Sequence, residues 1–185
     1  MTNLRITNQG LAAAVPVLVL TGPVGSGKSS VLDAASKLLQ QQYFPHAAVD
    51  VDQLRVGYPR PVGDPFGARA GWRNLGLLWP ALLADGARCL LLADVVEDRA
   101  GYLSDCAHWL AGSVVTIVRL NVPMALVLRR IQAREGPDSV DWHLQRAPQL
   151  QRIMERGQVE DELIDVQART PTEVAAELLA RSKIG

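Results

Sequence analysis

Cysteine is scarce: Cys89 and Cys106 are the only two in 185 residues. They stand far apart and without Cys-x-x-Cys spacing, which excludes a zinc ribbon and a disulfide framework and makes a reducing, cytoplasmic setting the default. The three histidines, His46, His108 and His143, are as scattered, so no metal-ligand cluster can be written from them. Net charge is missing as well. Nineteen basic and nineteen acidic residues cancel, and no global field draws the chain to nucleic acid or to an anionic membrane. No apolar run reaches the length of a membrane span. The stretch from Leu11 to Leu20 has Arg5 upstream but no small-residue cleavage site, and it runs straight into a glycine-rich segment, so it reads as a strand and not as a secretory signal. Internal repeats and low-complexity tracts are absent. One domain over 1–185 is expected, with residues 1–13 a loose polar tail.

What is present begins with VPVLVLTGPVGSGKSSVL. Val15 to Leu20 shows no polar alternation, as expected of a strand buried on both faces in a parallel sheet. After Lys28, Val31, Leu32, Ala35, Leu38 and Leu39 recur at spacings of three and four, which is one face of a helix. Between strand and helix, Gly22, Gly27, Lys28 and Ser29 fit G-x-x-x-x-G-K-[ST]. Such a loop, here with Gly25, Ser26 and Ser30 as further members, lets backbone N–H groups curl around an anion at a helix N-terminus. Lys28 would reach the β- and γ-phosphates of a nucleotide, and the Ser29 hydroxyl would ligate magnesium.

Along the rest of the chain, AAVDVD (47–52), CLLLAD (89–94), SVVTIVRL (113–120) and ELIDV (162–166) read as strands. Helices are expected from Lys28 to about Gln42, and over 69–85, 102–110, 122–135 and 142–156. A last one follows Thr170, where Pro171 and Glu173 complete a capping box. The segment VGYPRPVGDPFG is a loop by its prolines and glycines. Strands alternating with helices predict an α/β fold with a five-stranded parallel sheet.

These features resemble the small-molecule and nucleoside monophosphate kinases of the P-loop class, among them shikimate kinase, gluconate kinase, chloramphenicol phosphotransferase and tunicamycin-resistance ATP-binding proteins. The resemblance implies a three-layer P-loop NTPase fold, strand order 2-3-1-4-5, helices on both faces and a short helical lid at about 134–146. It also implies ATP and Mg2+ as cofactors. In an extended segment Asp50 and Asp52 point to the same side; by the family pattern Asp50 holds the magnesium shell and Asp52 orients or deprotonates the accepting hydroxyl. CLLLAD resembles a Walker B strand, making Asp94 a further magnesium residue. GWRNL resembles the glycine-aromatic-arginine of shikimate kinase, so Arg73 would clamp the acceptor, but Gly76 stands where that pattern expects glutamate. LRRIQARE resembles the lid pattern with two arginines four apart. Arg130 would cover the adenine and Arg134 would reach the transferring phosphoryl, both on a face roughly opposite Met124, Leu128 and Ile131.

The expectation is therefore a cytoplasmic kinase that passes the γ-phosphoryl of ATP to a hydroxyl or phosphate of a small acceptor, with no nucleic-acid or membrane partner. The acceptor itself stays open among an antibiotic, a sugar acid and a nucleotide. The rival is an ATP-binding switch or resistance protein that sequesters a ligand without transfer.

Overall fold

The structure is a computed structural model that describes residues 14–184; the expected N-terminal tail, 1–13, lies outside the described residues. Five strands, β1 (Val15–Thr21), β2 (Ala47–Asp50), β3 (Leu90–Ala93), β4 (Ser113–Asn121) and β5 (Glu162–Asp165), form one sheet in the order β2-β3-β1-β4-β5, all parallel. The two edge strands are four residues each, and short edges leave little unpaired backbone for another chain to extend. The central pairings set the register, with Leu20 opposite both Ala93 and Val118.

Six helices cover the sheet: α1 (Lys28–Gln41), α2 (Ala68–Ala84), α3 (Arg99–Trp109), α4 (Met124–Arg134), α5 (Val140–Gly157) and α6 (Pro171–Ser182). Because side chains alternate along a strand, β1 sends Leu18 and Leu20 into one apolar cluster with α1, α4 and α6, and Val17 and Val19 into a second with α2 and α3. Both faces of β3 and of β1 from Val17 onward are thus dry, which is why these segments read as unbroken apolar runs. Helix α5 contributes Ala147 to the first cluster and Met154 to the second.

Two departures from the expected elements have a local hydrogen bond behind them. Helix α3 begins three residues early because the Asp98 carboxylate caps it, accepting from the N–H groups of Ala100 and Gly101. The second strand stops at Asp50, and Val51–Leu54 winds into a 3-10 turn. There the Asp50 carboxylate accepts the Asp52 N–H at 3.1 Å, so the aspartates do not lie two apart on one extended strand. The arginines of α4 also need correction. Val127 and Ile131 are the buried stripe, and Arg130 and Arg134 flank that stripe at helical spacing instead of standing opposite it.

Candidate active site

The strands all end at the same edge of the sheet, and β1 is the strand at which chain progression reverses, toward β3 and β2 on one side and β4 and β5 on the other. Crevices at such reversals are where open α/β sheets bind ligands. The glycine loop sits there. Gly22, Gly25 and Gly27 have φ of +151°, +82° and +99°, a region that L side chains seldom enter. At Gly25 space is short too: a Cβ would stand 3.0 Å from Ile131 Cγ1 and 3.1 Å from the Val127 carbonyl oxygen. No side chain caps α1 and its first turn carries no acid, so its leading N–H groups stay open to an anion.

Lys28 folds over this loop, donating to the carbonyls of Gly22 at 3.0 Å and Pro23 at 3.3 Å. Burial pushes its pKa down, against the carboxylates of Asp52, Asp94 and Asp50, which push it up. Ser29 donates to Asp50 Oδ2 at 2.6 Å, joining the start of α1 to the end of β2. Arg130 reaches across from α4 to the Ser26 carbonyl at 3.0 Å. Arg134 is exposed and lies against Glu135 Oε1, at 2.9 Å from Nε and 2.6 Å from Nη2, and this pairing draws the Glu135 carboxyl below its ordinary range.

Three cavities adjoin. The smallest, about 100 Å3, is lined by the loop with Lys28, Ser29, Ser30, Asp52 and Arg134. A second, about 270 Å3, lies between Gly25 to Gly27, Val31, Arg130, Arg134, Val166, Arg169 and Pro171. A third, about 310 Å3, lies on the other side of Asp52, walled by Val24, Arg55, Phe66, Val95, Glu97, Trp142, His143 and Arg146. Asp52 lines both the first and the third.

Most of the residues named from sequence gather here, and Asp94 and Arg73 are placed otherwise than expected. Asp94 is 3% exposed and committed: it accepts from Arg55 at 2.7 Å and from the Val95 N–H at 2.8 Å. Burial lifts its pKa to about 6, with Arg55 and the Val95 N–H pulling the other way. Its carboxylate anchors Arg55. Arg73 is exposed on α2 and lines none of the three cavities. Trp72 and Trp79 are buried core residues, Trp72 edge-on to Tyr102 and Trp79 donating to the Ala111 carbonyl. Gly76, the departure from the shikimate kinase pattern, is packed so that a Cβ would stand 2.5 Å from the Trp109 ring, which leaves no room for a glutamate.

Sequence reasoning missed Arg55. The 3-10 turn directs it back between Asp94 and Asp52, the latter at 3.1 Å, and Gly71 makes room, since a Cβ there would be 3.1 Å from Arg55 Cγ. Its signal was the i, i+3 spacing from Asp52. Arg169 was missed also; it is held by the carbonyls of Asp165 and Glu173 and by Glu177. Arg146, on α5, lines the third cavity and pairs with Glu97 at 2.6 Å.

No protein-family model matches the sequence, and no curated protein is significantly similar to it. Solved structures are similar in fold. A tunicamycin resistance protein from Deinococcus radiodurans superposes with a TM-score of 0.62 at 19% identity, over 92% of this chain and 97% of that one. Shikimate kinase from Acinetobacter baumannii, solved with shikimate, gives 0.57 at 18% identity over 92% and 94%. The Mycobacterium tuberculosis APS kinase CysC, solved with AMPPNP and APS, gives 0.58 at 19% over 93% and 99%. By its sheet order, its glycine loop and these likenesses, the chain has the fold of the P-loop kinases.

Proposed function

We propose that the protein is an ATP-dependent small-molecule kinase, transferring the γ-phosphoryl of ATP to an acceptor held in the third cavity. The observation that carries this reading is the position of Asp52, the one carboxylate that lines both the phosphate-loop cavity and its neighbour. A residue there can take the proton of a hydroxyl on one side as the oxygen attacks phosphorus on the other. The bond to the β–γ bridging oxygen breaks, ADP leaves, and the proton passes to Asp52.

The transition state of such a transfer is loose, with charge spread over the phosphoryl oxygens, so positioned cations supply most of the catalysis. Lys28 and Arg134 border the small cavity and meet that charge. Arg130 and Arg169 border the 270 Å3 cavity, where the nucleoside would lie beside Val166 and Pro171. Arg130 also fixes the loop through the Ser26 carbonyl. Asp94 holds Arg55 in place beside Asp52.

The Ser29 hydroxyl and Asp50 carboxylate suit magnesium, which takes oxygen ligands, keeps several waters and relies on substrate phosphates for the rest of its shell. Among the described residues no cluster of three or more His, Cys, Asp or Glu could hold a metal. When bound, magnesium neutralises phosphate charge.

The test is Asp52→Asn, read by single-turnover transfer from labelled ATP. A positioned general base contributes about a hundredfold to ten-thousandfold, so transfer should slow by that much while ATP affinity holds. Transfer at the wild-type rate would remove Asp52 from the chemistry.

A further inference from the structure

The third cavity has two features that the transfer chemistry does not use. The first is aromatic. Phe66, from the loop before α2, and Trp142, from the first turn of α5, are 61% and 48% exposed. Both line this cavity, with ring centroids 6.1 Å apart and planes tilted by 34°. Trp72 and Trp79, by contrast, are spent on the core. Large rings left open from two different elements at one cavity present adjoining flat faces to a ligand.

The second feature is charge. Arg55 is paired with Asp94 and Asp52, and Arg146 with Glu97. His143 faces Glu135 at 3.5 Å. The arginines and carboxylates of the wall cancel, and Asp94 adds a further acid behind Arg55. An anionic acceptor would have to take Arg55 from Asp94, 3% exposed, and leave that carboxylate unpaired in a buried place, which is costly, or compete with the more exposed Glu97 for Arg146. A neutral acceptor pays no such penalty.

On the reading of this cavity as the acceptor side of a kinase, we infer that it takes an uncharged alcohol bearing an aromatic or heteroaromatic ring. The ring lies against Phe66 and Trp142, and the hydroxyl turns toward Asp52. Sugar acids and nucleotides, whose carboxylates and phosphates need a spare cation, are disfavoured.

The experiment titrates the full chain, loaded with AMPPNP and magnesium, with neutral ring-bearing probes (adenosine, uridine, phenyl β-glucoside) and with anionic ones (shikimate, gluconate, AMP). Binding is followed by calorimetry and tryptophan fluorescence. The expected result is that at least one neutral probe binds tenfold or more tightly than every anion. Trp142→Ala should weaken that probe about three- to tenfold, the worth of an aromatic contact beyond its area, with AMPPNP affinity unchanged, and Trp142→Phe should restore most of it. Tighter binding of an anion, no neutral probe bound at millimolar concentration, or a Trp142→Ala variant that binds as wild type would each overturn the inference. Titrations of phenyl β-glucoside, shikimate and gluconate without AMPPNP, probes that carry no nucleoside, decide the preference independently. Failure of AMPPNP itself to bind sinks the donor site and leaves the ring preference to be read from those.

Discussion

Gly25 sits between the phosphate loop and α4 with a φ of +82° and no space for a Cβ. Gly25→Ala should therefore cost more than the roughly 1 kcal/mol at stake when alanine suits its site, and should weaken ATP binding because the loop must move off Ile131. A thermal melt and a nucleotide titration check both; unchanged values would mean that the loop relaxes freely. Lys28→Ala should leave the melting temperature nearly unchanged, since its contacts are to two loop carbonyls. It should lower ATP affinity by at least the 1.5 to 3 kcal/mol, approximately, of a charge-assisted bond. At this scale the sequence was legible where spacing alone defines a role, as in the glycine loop and its lysine. For Arg55 only the i, i+3 spacing from Asp52 was legible, since its place depends also on a carboxylate 39 residues further on. Nor does the sequence of α2 show that Arg73 faces solvent.

Elements were more legible than their ends. Apolar runs and helical spacing located every strand and helix among the described residues, because burial on both faces of a parallel sheet writes itself into composition. The 3-10 turn after β2 was hidden because it is nucleated by one side chain, Asp50, capturing the Asp52 N–H. A second buried ion pair ties β4 to the start of β5: Arg119, 7% exposed, donates to Glu160 Oε1 at 2.8 Å. Burial raises the Glu160 pKa, but the Arg119 hydrogen bond and charge prevail and the net shift is below the ordinary 4.5. A carboxylate lowered in the fold contributes stability above that value and loses it as pH falls through the lowered one. Arg119→Met should thus destabilise by about 3 kcal/mol or more near neutrality, the usual cost of leaving one member of a buried pair. The penalty should shrink in acid as Glu160 takes a proton. Urea melts of both proteins at pH 7 and pH 4 test this, and a penalty independent of pH would show that packing, not charge, holds the contact.

For the whole molecule, the sheet order places the glycine loop, the end of β2 and α4 around a single edge, and Asp52 lines two adjoining cavities, which the proposed function assigns to the phosphates and to the acceptor. The direct measurement is 31P NMR of the wild-type protein with ATP, magnesium, the neutral probes and a deproteinised small-molecule extract, with Lys28→Ala in parallel. The account predicts loss of the γ-phosphate signal, growth of ADP and of a new phosphomonoester resonance, little inorganic phosphate, and none of this in the variant. ATP that binds and stays intact, or that yields inorganic phosphate alone, would contradict it.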